Sequence, residues 1–269
     1  MTKKEVLALT GASDLVSKDG IVVLIYPYKP YLPVDNNVLE LDSYYVACNN
    51  AYNSVKTARI GTPISDINIK ELLVSCGLKM GRSSLVFHPE YGSYFLAQAV
   101  KVDIEFDDTY IFTDELLCSK CNKCAIACPG KAINNDGFMR NACLRDMMDK
   151  PLSAETLPYL GSQLLGCQIC RRVCPHNISI TNEKMPQELA EHLTLESILE
   201  FKNSTKQVLN SYIGANMARV SVLVPLAMSV AFKRNRCDLL PLIKSYIHHP
   251  SHKVAASAQT VVEAFEKSY

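Results

Sequence analysis

No apolar run in this sequence is long enough to span a bilayer. The longest, Val220 to Phe232, is thirteen residues and carries Ser and Pro, which suits a buried helix. The opening stretch MTKKEVLALTGASD has too little apolar length for a secretory h-region, and no cleavage signal follows it. Low-complexity segments are absent as well. So is a charge of one sign: 28 Lys and Arg face 27 Asp and Glu, a net +1, so nothing global calls for nucleic acid or an anionic membrane. These absences lead us to expect a soluble, cytoplasmic protein with no membrane partner. In that compartment eleven cysteines read as reduced thiols and metal ligands, not disulfides.

What is present divides along the chain. The run Ile21 to Tyr26 (IVVLIY) is continuous, β-branched and apolar, and predicts a buried strand. The Pro-rich PYKPYLP ends it as a loop. Helices are predicted around Leu39–Ala58 and over Ile67–Cys76, where Ile69, Leu72, Leu73 and Cys76 recur at helical spacing. A short strand is expected at Ser84–Phe87. Residues 99–106 alternate, with Val100, Val102, Ile104 and Phe106 on one face, as a half-buried strand does. Beyond residue 183 the pattern is helical. Asp238 and Ser251 are candidate N-caps of two helices, the second striped by Val254, Ala255, Ala258, Val261, Val262 and Phe265. Such a pair is of the kind that stacks in helical repeats. Residues 219–269 carry seven Lys and Arg against three Asp and Glu, which reads first as a solvated helical face. The fold class expected is α+β: a mixed α/β domain over 1–112, a ferredoxin-like domain over 113–182 and a helical module over 183–269.

The middle domain holds the chemistry. Cys118, Cys121, Cys124 and Cys128, followed by Pro129, form the run C-x2-C-x2-C-x3-C-P. Three thiolates two residues apart wrap one face of an iron–sulfur cube, and the fourth leads away to a second cube. Cys167, Cys170 and Cys174-Pro175 repeat the C-x3-C-P ending and need one more ligand, which Cys143 supplies. Crossing the two C-P cysteines closes the count. One 4Fe–4S cluster takes Cys118, Cys121, Cys124 and Cys174; the other takes Cys128, Cys143, Cys167 and Cys170. Zinc would use paired C-x2-C, but it explains neither the third cysteine nor the repeated C-P endings. Cys48, Cys76 and Cys237 are left as small buried hydrophobes.

The stretches CSKCNKCAIACPGKAI, RNACLRDM and LGCQICRRVCPHN, in that order, resemble epoxyqueuosine reductase, the corrinoid-dependent enzyme of queuosine tRNA modification, and more distantly the reductive dehalogenases. GLKMGRSSLVFHPEYGSYF is similar to that family's glycine-rich segment, VVLIYPY to its early strand, and the final helical pair to its HEAT-type extension. The resemblance implies two 4Fe–4S clusters, a cobalamin contacted by Gly81, Arg82, Ser83, Gly92 and Ser93, and a ferredoxin or flavodoxin as low-potential electron donor. It also implies a tRNA contact through the C-terminal module, at Lys233, Arg234 and Arg236.

The family's D-Y-H motif falls at Asn50–Asn53, where Tyr52 alone matches. Its upstream acid is approached, out of register, by Asp66. Asp66, Tyr52 and Tyr94 are therefore the catalytic candidates the resemblance provides. Asp66 also reads as a loop or capping residue, the tyrosines as half-buried packing, His88 as a turn residue, and His176 as an outer donor to a cluster. The function implied is an iron–sulfur oxidoreductase; the alternative is a dicluster electron carrier without catalysis of its own, and an RNA-binding adaptor ranks third.

Overall fold

The computed structural model describes residues 1–33, 35–102, 106, 110, 118, 120–135, 137–161 and 163–268. Helix α1 (Lys3–Thr10) starts at a capping box between Thr2 and Glu5 and stops at Gly11 in the left-handed region. Strands β1 (Asp14–Lys18) and β2 (Ile21–Pro27) follow as an antiparallel pair. After the Pro-rich arm come α2 (Tyr44–Ala58), β3 (Thr62–Pro63), α3 (Ile69–Ser75), β4 (Lys79–Met80), β5 (Val86–Phe87) and β6 (Phe95–Lys101). The main sheet runs β1-β2-β6-β3. β2 thus has hydrogen-bonded neighbours on both edges and helices over both faces, which is why IVVLIY carries no polar side. Val23 and Ile25 point into the core under α3, and Val22 and Leu24 into the core with Val6 and Val55 of α1 and α2.

Three expected boundaries move for physical reasons. The helix expected from Leu39 begins at Tyr44, because residues 38–42 are taken by extended pairing: Leu39 N–H donates to Leu193 O and Asp42 N–H to Leu165 O. The alternating strand begins at Phe95 and pairs only to Lys101, opposite the full length of β2; Ile104 lies outside the described residues. Asn68, not Asp66, caps α3, accepting from the Glu71 amide.

The cysteine region adds α4 (Lys123–Ala127), the hairpin β7 (Ile133–Asn134) and β8 (Gly137–Phe138), α5 (Leu144–Met147) and α6 (Ile169–Arg172). The helical part is α7 (Gln187–His192), α8 (Leu195–Glu200), α9 (Asn203–Ile213), α10 (Val220–Lys233), α11 (Leu240–Lys244) and α12 (His252–Lys267). The longest apolar run becomes α10, buried without interruption from Leu223 to Ala231. Among the described residues no helix is long and apolar enough to cross a membrane. The stripe of α12 packs on α10, with Phe232 and Phe265 edge to face at 5.1 Å. Asp238 does not cap: its carboxylate binds Arg236, and a 3-10 turn leads into the short α11.

One large core joins Tyr31, Leu39 and Leu41 of the arm to Leu144, Leu152, Leu160 and Leu165 and to the helices from Leu189 to Phe265. Polar contacts reinforce it. Leu152 N–H donates to Ser257 Oγ at 2.9 Å, and Lys253 Nζ to Met148 O at 2.9 Å. The cysteine loops are therefore anchored from two sides, by the arm and by α12.

Candidate iron–sulfur centre

Cys118 turns into Cys121, whose amide donates to Cys118 O at 3.3 Å. Cys124 sits in the first turn of α4, and Cys128 closes that helix in extended conformation before Pro129. The second run repeats the device. Cys170 lies within α6, and Cys174 is extended ahead of Pro175. Cys143 is extended at the start of α5. α4 and α6 pack together, which brings the two runs side by side. All eight cysteines are half-buried.

Their electrostatic neighbours sort them. Burial pushes the Cys174 thiol up, and the sulfurs that add to the effect are Cys118, Cys124 and Cys121. Burial raises Cys167 likewise, with Cys143 and Cys128 adding. Cys170 is pushed up to about 12 by burial, then by Cys167 and Cys143, with Cys124 the smallest contribution. Burial followed by Cys118 raises Cys124. Thiols grouped this way hold their protons until a cation displaces them, and iron does so by coordinating the thiolate. The donor set therefore fits two cubes. Among the described residues no three His, Cys, Asp or Glu side chains crowd together as they do around a single ion; a cube spreads its thiolates over four irons.

Backbone amides point at the sulfurs. Arg82 N–H reaches Cys118 Sγ at 3.4 Å and Ala132 N–H reaches Cys128 Sγ at 3.4 Å. The amides of Ala125, Ile169 and His176 do the same for Cys124, Cys167 and Cys174. Such donors stabilise sulfur charge and tune a cluster. For His176 the outer-donor expectation thus falls to its backbone, while its ring meets Phe87 edge to face at 5.8 Å.

The residues expected at a corrinoid are otherwise engaged. Gly81 faces Phe87 and Cys118. Arg82 Nη1 donates to Asn122 Oδ1 at 2.6 Å, and Ser83 is buried. Ser93 N–H donates to Asn177 Oδ1 and Asn177 Nδ2 to Ser93 Oγ, each at 2.9 Å. Gly92 has φ +53°, and a Cβ there would lie 2.2 Å from Asn177 Oδ1. Through Gly92, Ser93 and Asn177 this segment docks onto the second C-P loop.

The catalytic candidates separate: Tyr52 and Asp66 lie exposed, and Tyr94 is 3% exposed. His88 is buried, its Nδ1 accepting the Glu90 and Tyr91 amides and its Nε2 facing Asp14 at 3.4 Å. Cys76 is buried as expected, but Cys48 and Cys237 are only half-buried.

A buried cluster beside Cys170 has no signature in the sequence. The Arg171 guanidinium lies 5.5 to 5.9 Å from the ring centres of Tyr44, Tyr28 and Tyr94 and 3.3 Å from Asp42 Oδ2. Burial raises the Asp42 carboxyl above its usual range, with Arg171, the Tyr44 amide and Arg172 opposing. Gly166 (φ +87°) lets Asp42 approach, since a Cβ there would sit 2.5 Å from Asp42 Cβ.

Residues 117–177 match the 4Fe-4S double cluster binding domain, so that segment is of the double-cluster iron–sulfur class. Within that class the chain is similar to epoxyqueuosine reductases. It is 32% identical to that of Listeria monocytogenes over 104 residues (36% of this chain, 26% of the relative) and 27% to that of Bacillus subtilis over 158 (54% and 40%). The solved epoxyqueuosine reductase of Streptococcus thermophilus superposes with a TM-score of 0.66 at 19% identity, covering 92% of this chain and 73% of that one. An epoxyqueuosine reductase solved with an epoxyqueuosine-modified tRNA stem loop gives 0.69 at 18%, covering 91% and 73%. These solved chains share the fold. In sequence, the chain spans about a quarter to two fifths of the length of these two curated relatives.

Proposed function

We propose that the chain is an iron–sulfur oxidoreductase of the epoxyqueuosine reductase type. One 4Fe–4S cluster would be held by Cys118, Cys121, Cys124 and Cys174, the other by Cys128, Cys143, Cys167 and Cys170. The supporting observation is that Cys174 has Cys118, Cys121 and Cys124 as its sulfur neighbours, while Cys167 has Cys143 and Cys128. When bound, such clusters supply one-electron transfer at low potential, about −400 mV in plant-type ferredoxins. The chain's own residues hold the thiolates, aim amides at them and wall them with α5, α6 and the glycine-rich segment.

The layout we propose is a mixed α/β unit over 1–112, a ferredoxin-like unit over 113–182 and a HEAT-like helical unit over 183–269. The electron donor is a ferredoxin or flavodoxin, in the cytoplasm, where thiols stay reduced. A corrinoid is the other cofactor the resemblance implies. Because Arg82 and Ser93 are committed to Asn122 and Asn177, no step is assigned to it. The same commitment favours the dicluster carrier as a second reading; a stoichiometric corrinoid band after anaerobic reconstitution with cobalamin would exclude it. A tRNA partner rests on the relative solved with a stem loop. Lys233, Arg234 and Arg236 are spent on Pro158 O, on Asn36 O and Val38 O, and on Glu196 and Asp238.

The ligand sets are tested by alanine variants purified without oxygen. Cys121→Ala and Cys174→Ala lose the same electron paramagnetic resonance signal, and Cys128→Ala and Cys143→Ala lose the other, each with about half the iron. If Cys174→Ala instead matches Cys167→Ala, the sets are not crossed.

A further inference from the structure

Arg171 directly follows Cys170 and is enclosed: its side chain is 13% exposed, and that of Asp42, which it meets at 3.3 Å, is 4% exposed. Three tyrosine rings face the guanidinium within 6 Å, a desolvated cation–π arrangement. The cage is not built to neutralise the charge fully. Arg171 Nε and Tyr28 Oη are buried with no hydrogen-bond partner, and a single carboxylate on the far end of the fork is the one ion pair Arg171 makes among the described residues. Guanidinium keeps its charge at any pH the fold survives. A unit charge on the residue next to a cluster ligand, in a medium drier than water, outweighs thermal energy.

We propose that Arg171 is a positioning residue that raises the reduction potential of the cluster held by Cys128, Cys143, Cys167 and Cys170, with Asp42 as its counterweight. A cluster gains an electron on reduction, so a fixed neighbouring cation favours the reduced form and a neighbouring carboxylate disfavours it. Net charge near the cluster and hydrogen bonds to its sulfurs are the protein's means of setting potential. The aromatic cage keeps water from screening the guanidinium. This assignment rests on the two-cluster reading above and goes beyond it by giving one cluster a specific electrostatic partner.

The test is an anaerobic redox titration followed by electron paramagnetic resonance, which resolves each cluster separately. Iron content and both signals in the native protein establish the clusters first; their absence would overturn the two-cluster reading itself. Arg171→Gln is expected to move the reduced-to-oxidised ratio of one cluster at least tenfold toward oxidised at fixed potential, ~59 mV for a one-electron couple. The signal that shifts is the one lost in Cys143→Ala. Arg171→Lys keeps the charge and most of the potential. Asp42→Asn, which leaves the guanidinium in place, shifts the same cluster in the opposite direction, and it carries the test if Arg171→Gln fails to assemble. Both clusters present with potentials unchanged in Arg171→Gln or in Asp42→Asn, or a shift confined to the other cluster, would overturn the assignment.

Discussion

Asp14 gathers the first hundred residues around one carboxylate. Lys3 Nζ pairs with it at 3.0 Å, Tyr110 Oη donates to it, and His88 Nε2 faces it at 3.4 Å. Because His88 Nδ1 accepts two backbone amides, its proton sits on Nε2, which faces both Tyr110 Oη at 3.2 Å and Asp14 Oδ2. Burial alone would raise the Asp14 carboxyl, but His88, Tyr110, Lys3 and the Leu15 amide outweigh it and hold it far below the usual range. A depressed carboxyl stabilises the fold above its unfolded pKa, about 3.9, and loses that contribution as pH falls through the folded value. Asp14→Asn should therefore cost about 1–3 kcal/mol in urea denaturation. The gap from the native chain should stay constant from pH 8 to 5 and close below about pH 4. A gap that widens in acid would reverse the sign. At this scale the cysteines were legible because ligand spacing is local, a matter of two and three residues. The Arg171 cage was not. Asp42 lies 129 residues from Arg171, and no pattern around either residue announces the other.

Among the elements, the glycine-rich segment changes meaning most between sequence and structure. It was legible as a turn, and the turn is there, but its partner is Asn177, far along the chain. Asn177 bonds Ser93 twice and donates to Arg171 O at 2.9 Å, so one amide joins the segment, the second C-P loop and α6. Gly92→Ala would meet Asn177 Oδ1 and His176 O at 2.2 and 2.8 Å with φ at +53°. It should cost about 2–3 kcal/mol from backbone strain and the displaced bond and lower the melting temperature by several degrees. A melting curve identical to that of the native chain would show that the contact is dispensable. β2, α3, α10 and α12 were legible because burial imposes their period directly. The start of α2 was not, since residues 38–42 are claimed by Leu165 and Leu193. Tertiary pairing there overrides a helical pattern.

At the scale of the whole molecule, one core carries the arm, the cysteine loops and the helices together. The cluster cysteines are thus presented by a scaffold packed on both sides, with α12 clasping residues 148–152 through Ser257, Thr260 and Lys253. That scaffold would hold the eight sulfurs of the two proposed sets on loops of short helices and turns. Pre-set ligands lower the cost of assembling a metal site. The decisive measurement is the iron and acid-labile sulfide content of the anaerobically purified chain, read with its visible spectrum. About eight irons and eight sulfides per chain, with the broad absorption of two 4Fe–4S clusters, is the predicted result. A colourless protein carrying zinc at these cysteines would contradict it.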